Sequence, residues 1–212
     1  MYSPDHRKDW ESVEDPKEHR VCGWCCAWTS LLIGCVVFAL VVATALFASF
    51  LQGSMPEFRI KQMNISHFQL VTRGDQTLLN SKLDLILNAT NNNNKYDFSY
   101  GTLSVRVSTT GVDLGRAKIA PFKQPRRHAS VLNMTTTVQK ADINEEDGED
   151  FKSDYKTRQV VISVWLTGHI GIDYNTMKFS KLPLNVYCNS INQMAIDSGI
   201  QPKCRVKMFA FL

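Results

Sequence analysis

The 212 residues carry 24 Lys/Arg against 20 Asp/Glu, a net charge of +4, and 44% of them are hydrophobic. Only four of the basic and six of the acidic residues precede Gln52, so a tail of net charge −2 leads into a region of net charge +6. That region is ample for one packed domain and short for two.

The tail ends at Arg20, and no charged side chain then occurs before Glu57. Within the gap, the 25 residues 27–51 include 13 Leu, Ile, Val or Phe. As a helix rising about 1.5 Å per residue they span about 36 Å, enough to cross a hydrocarbon core about 30 Å thick with some tilt. The apolar part of a secretory signal runs only about 7–15 residues. The stretch is therefore expected to remain as a signal-anchor, with a cleaved signal or a buried core helix as competing readings. The domain plan is a short cytosolic tail over 1–26, a transmembrane helix over 27–51 and an extracellular domain over 52–212. Four Lys/Arg before the span, against Arg59, Lys61 and Arg73 after it, lean the N-terminus towards the cytosol. Cys22, Cys25 and Cys26 lie at the membrane edge, where reduced thiols are candidates for S-acylation. They also read as inert small residues, or as part of a zinc site with His19 that lacks a second ligand pair.

Beyond the span the apolar pattern alternates, which predicts strands rather than helices. Phe58 and Ile60 open a strand running towards Val71, and VTRGDQT turns the chain. Leu83–Ala89 is the second strand, and NNNNKYD a loop, since asparagine tolerates left-handed backbone and bonds locally. FSYGTLSVRVS reads as one strand with Leu103, Val105 and Val107 inward. Val112–Ile119 is shorter and is closed by Pro121 and Pro125; Ala129–Val138 is the fifth strand. Val160–Leu166 is apolar on both faces, as a central strand would be. Leu182–Cys188 and Cys204–Met208 complete the set. Seven or eight short strands without amphipathic helices between them predict an all-β fold, an antiparallel β-sandwich behind one transmembrane helix.

Three N-glycosylation sequons follow the span, at Asn64, Asn88 and Asn133. Alternation puts Leu83, Leu85 and Leu87 on one face and Asn88 on the other, and likewise separates Asn133 from Leu132 and Met134. Cys188 and Cys204 form an even pair of shared inward parity, which predicts a disulfide. Lys123, Arg126 and Arg127 cluster in FKQPRRHAS as a candidate anion contact, or simply a soluble connection. The cluster lacks interleaved aromatics, so nucleic acid is not an expected partner. ADINEEDGEDFKSDY holds seven acids and reads as a solvated loop or short surface helix; its likeness to a calcium loop fails where Asp147 replaces the required glycine. Arg73-Gly74-Asp75 spells an adhesion tripeptide but is also hairpin chemistry. No nucleophile elbow, zinc-protease or phosphate-loop motif is present, so no catalytic residue, metal or cofactor is expected.

The Cys-edged span, NNNNKYDFSYGTLSVRV, the basic turn before ASVLNMTTT, VVISVWLTGHIGI and the closing CRVKMF together resemble the plant late-embryogenesis-abundant group-two proteins. The likeness extends to their membrane-anchored hydroxyproline-rich glycoprotein branch, the harpin-induced-like and non-race-specific-disease-resistance-like proteins. Asn92, Asn93, Asn94 and Lys95 stand where the family commonly has Asn-Pro-Asn-Lys, with Asn93 at the proline position. Gln124 to His128 matches the family's basic turn only approximately. The resemblance implies an immunoglobulin- or fibronectin-like sandwich at the plasma membrane, sometimes at plasmodesmata, with a non-enzymatic part in defence or stress responses. The expected function is thus an adaptor or sensor whose basic ectodomain contacts cell-wall polysaccharide or partner ectodomains, with homo-oligomerisation open. The alternative is a membrane-tethered stress protectant without a specific ligand.

Overall fold

The computed structural model describes residues 18–53, 55–73 and 76–208 and divides into two units, residues 1–50 and 51–212. In the first, helix α1 (Glu18–Gly53) runs past the predicted span at both ends. Its segment Ala27–Leu46 is long and apolar enough to cross a membrane, and none of it is buried among the described residues. Leu31, Ile33, Phe38 and Leu46 leave 60–70% of their surface open, an arrangement that water penalises and lipid does not. The hydroxyls of Thr44 and Ser49 donate at 2.9 Å to carbonyls one turn back, at Leu40, Val41 and Ala45, so neither depends on water.

The second unit contains β1 (Glu57–Arg73), β2 (Gln76–Thr90), β3 (Asp97–Tyr100), β4 (Leu103–Thr109), β5 (Val112–Ile119), β6 (Phe122–Gln124) and β7 (Ala129–Ile143). Helix α2 (Glu145–Thr157), β8 (Val161–Tyr174), β9 (Met177–Asn192), α3 (Gln193–Asp197) and β10 (Arg205–Lys207) follow. All pairings are antiparallel. One sheet has the order β1-β2-β7; the larger places β8 between β9 on one side and both β3 and β4 on the other. The two inner faces meet in a single core. Leu83, Leu85 and Leu87 come from the smaller sheet, and Val105, Ile162, Leu166 and Val186 from the larger, each at most 1% exposed. These filled inner faces make the fold an antiparallel β-sandwich, as alternation predicted.

Several elements depart from the expectation. FSYGTLSVRVS is two strands, because β8 passes under Thr102 and Leu103 at Gly168. A Cβ there would lie 2.7 Å from Leu103 Cδ2 and 2.9 Å from the Thr102 carbonyl, so only glycine fits. Val160–Leu166 is central, yet its two faces differ: Ile162, Val164 and Leu166 are buried, whereas Val161 is 37% exposed and Trp165 half-buried on the open face. The acidic segment is helical from Glu145, with Glu145, Glu146 and Asp147 in the first turn, where the helix dipole favours carboxylates. Asp142 still belongs to β7, so Asp142, Asn144 and Glu146 do not share a loop. Phe151 and Tyr155 anchor α2 on β1 through Phe68, edge-on at 5.0 Å and stacked at 4.8 Å.

The C-terminal segment joins the sheets. Cys204 is disulfide-bonded to Cys188 of β9, β10 pairs with β9, and residues 202–204 pair with β1. There the Cys204 N–H donates to the Phe58 carbonyl at 2.8 Å and the Ile60 N–H to the Pro202 carbonyl at 3.2 Å. On its outer side Lys203 and Arg59 both pair with Glu57. We predict that Cys204→Ser lowers unfolding free energy by about 3 kcal/mol through the freed loop entropy. Chemical denaturation of the full chain checks this, and a reductant should reproduce the shift in the unsubstituted protein and not in the variant.

Candidate functional site

The basic turn is built on a buried polar frame. Asn91 is fully buried; its Nδ2 donates to the carbonyls of Tyr96 at 2.9 Å and Pro125 at 3.1 Å, and its Oδ1 accepts from the Asn93 N–H at 3.0 Å. Asn93 Oδ1 in turn accepts from the N–H groups of Lys95 and Tyr96. Gln124, also fully buried, donates to the carbonyls of Ala89 at 2.7 Å and His128 at 3.2 Å, and accepts from the Tyr100 hydroxyl at 2.8 Å. Burial pushes the Tyr100 phenol far above its ordinary value, so it serves here as a neutral donor. The asparagine run and the basic turn are thus one rigid unit rather than two loose loops.

This frame brings Lys123, Arg126 and Arg127 together at one end of the larger sheet. Arg127 takes left-handed backbone (φ 53°), and its N–H donates to the Asn93 carbonyl at 3.1 Å. Arg126 is partly neutralised, since both its N–H and its guanidinium bond the Asp97 carboxylate, at 2.9 and 3.2 Å. Among the described residues, the side chains of Lys123 and Arg127 make no ion pair.

The sequon asparagines lie on the opposite sheet. Asn64 on β1, Asn88 on β2 and Asn133 on β7 all have outward parity on the three-stranded sheet, in the register Asn64–Asp84–Thr135 and Arg59–Asn88–Val131. Asn64 and Asn133 are exposed, whereas Asn88 is half-buried mid-strand, its Oδ1 enclosed without a hydrogen-bond partner among the described residues. Between the outer two sequons stands Asp84. The Thr135 hydroxyl, donating at 2.6 Å, holds its carboxyl below the usual carboxylate range against the opposing effect of burial; Ser66 and Lys82 add to the lowering. A depressed carboxylate stabilises the fold above its unfolded pKa, and that stabilisation is lost as pH falls through the folded value.

Cys22, Cys25 and Cys26 fall on α1, but their side chains lie outside the described residues, as do Gly74 and Asp75 of the Arg-Gly-Asp tripeptide. Cys35 is a free, exposed thiol within the helix. Among the described residues no three His, Cys, Asp or Glu side chains gather as a metal site.

Sequence reasoning passed over a second basic surface. The open face of the larger sheet carries Arg106, Arg116 and Lys118 around Trp165 and Tyr187, lining a depression of about 930 Å³. The signal was present in each strand as a cation or aromatic at outward parity, but the cross-strand order that assembles them is not a local property of sequence.

Two outcomes follow from these frames. Gln124→Leu should lower stability by about 1–3 kcal/mol for each buried partner left unsatisfied, whereas Lys123→Ala should change it by no more than about 0.5 kcal/mol; urea denaturation of both variants checks this. Thr135→Val should raise the Asp84 pKa towards its ordinary value, read by NMR titration of the carboxyl carbon.

Residues 87–188, from the end of β2 to the disulfide in β9, match the family model described as late embryogenesis abundant protein. No curated protein matches the chain. Among solved structures, a protein from Archaeoglobus fulgidus aligns at 10% identity and a TM-score of 0.29, covering 62% of this chain and 98% of that one. The matched segment contains the asparagine run, the basic turn and the central strand, and the match supports a likeness of this chain to the late embryogenesis abundant group-two proteins over those residues.

Proposed function

We propose that the chain is a single-pass plasma-membrane glycoprotein of the harpin-induced-like and non-race-specific-disease-resistance-like branch. Its tail, 1–26, faces the cytosol, and residues 52–212 lie outside the cell, at plasmodesmata among other sites. The sandwich acts there as a non-enzymatic adaptor or sensor in plant stress and defence signalling, contacting wall polymer or partner ectodomains. Acylation of Cys22, Cys25 and Cys26 holds the tail against the inner leaflet.

The observation that carries this reading is the placement of all three sequons on the outside of one sheet. A glycan needs an accessible asparagine, and the three-stranded sheet presents two exposed ones, Asn64 and Asn133, with Asn88 half-buried at the same parity. The helix segment Ala27–Leu46 supplies an anchor of sufficient length. The Cys188–Cys204 bridge belongs to an oxidising compartment.

The test is enzymatic deglycosylation combined with protease treatment of sealed microsomes. The expected result is a protected ectodomain whose mobility shifts on deglycosylation, with Asn64→Gln and Asn133→Gln each removing one step. An unshifted domain, digested from the outside of intact vesicles, would contradict the proposal.

A further inference from the structure

The open face of the seven-stranded sheet carries two adjacent cross-strand rows. In the first, Arg116 of β5, Arg106 of β4, Trp165 of β8, Tyr187 of β9 and Arg205 of β10 stand opposite one another in turn. In the second, Lys118, Ser104, Thr167, Asn185 and Lys207 do the same. Each row therefore has a cation at both ends and none of its members is acidic. Four strand-to-strand steps of about 4.8 Å make each row about 19 Å long.

We propose that this face binds a linear acidic polysaccharide, a polyuronate chain laid across the strands. Its sugar rings rest on Trp165 and Tyr187, and its carboxylates meet the cations at either end. The inference rests on the extracellular location proposed above and names the ligand class and the surface that takes it.

Charge is the first argument. Among the described residues, Arg116, Lys118, Arg205 and Lys207 make no ion pair. Arg106 and Arg116 face each other directly across β4 and β5, a like-charge pairing that works against the sheet. Only Arg106 is relieved, through Asp113 at 2.9 Å. A fold that keeps uncompensated cations in register on one face is complementary to a repeating anion. Shape is the second argument. Trp165 and Tyr187 are directly paired and half-buried at the middle of the row, in the open depression of about 930 Å³. Side by side they form an apolar platform with a polar rim, which suits a ring-shaped repeat better than a bare phosphate. The third argument is access: all three sequons lie on the other sheet, so glycans there leave this face uncovered.

Trp165 is the one tryptophan after Trp28, so in a background with Trp10, Trp24 and Trp28 replaced by Phe its emission reports on this face. The experiment titrates the full-length chain in detergent micelles with three probes: polygalacturonate, its fully methyl-esterified and uncharged form, and a single-stranded oligonucleotide of matched charge. The expected result is a saturable change in Trp165 emission with polygalacturonate and none with the ester. Calorimetry should show affinity reduced about tenfold or more by the double variant R116E/K118E, by R205E and by Trp165→Ala, whereas K61E/K156E, at exposed lysines away from this face, leaves it within about twofold. Equal binding of the ester, affinity unmoved by the charge reversals, or tighter binding of the oligonucleotide would overturn the proposal. Because these measurements use purified protein, they are independent of topology. Polygalacturonate binding by a chain found to be cytosolic would sink the location and keep the surface; an external domain that ignores the polymer would do the reverse.

Discussion

An open β-sandwich is vulnerable where its two sheets part, because edge strands leave backbone donors and acceptors unpaired there. In this molecule one such edge is closed by residues 202–207. The segment pairs with β1 of the smaller sheet on one side and with β9 of the larger on the other. A three-residue strand has too few hydrogen bonds to hold that position by itself. The Cys188–Cys204 bridge, 16 residues apart in sequence, fixes it covalently and does so from the core side, where both sulfurs are buried. Everything that depends on register at this edge, including the placement of Arg205 and Lys207 beside Tyr187 and Asn185, follows from that one bond.

The closed sandwich presents two unlike outer surfaces. The three-stranded sheet shows the sequon asparagines with Asp84 among them. The seven-stranded sheet shows cations and an aromatic pair, without an acid in either of the rows that cross it. Between the two, the shared core is filled by branched and aromatic side chains. The polar frame of Asn91, Asn93, Gln124 and Tyr100 adds a third feature by stiffening the loops at one end of the larger sheet. The family match covers a segment that contains this frame, and the frame gives a physical reason for the asparagine run: buried amides that satisfy loop carbonyls no strand can reach.

Much of this was legible from alternation. Leu83, Leu85 and Leu87, and Leu103, Val105 and Val107, were placed on one face by parity and are all buried; of the alternating Leu182, Leu184, Val186 and Cys188, the last three are buried and Leu182 is half-buried. The cysteine bridge followed from the same parity. What sequence could not supply has identifiable causes. β6 is three residues between prolines, too short to show a period. Bulges between Ile60 and Gln62, and between Ile65 and His67, reset which residues of β1 face inward. Trp165 lies in an apolar run and so reads as core, yet the pleat turns it outward, where its neighbours come from strands distant in the chain. For the same reason Lys123, Arg126 and Arg127, adjacent in sequence, drew attention that the dispersed residues Arg116, Lys118 and Arg205 did not. Local clustering is visible in a string of letters; cross-strand alignment is made by the fold.

The claim that residues 202–207 are locked to both sheets through the disulfide is tested most directly by native-state hydrogen exchange of the full chain, oxidised and reduced. The account predicts that the amides of Ile60 and Cys204 are protected when the bridge is intact and lose protection together on reduction, while amides in the middle of β4 and β8 retain theirs. Unchanged protection at Ile60 and Cys204 after reduction would contradict it.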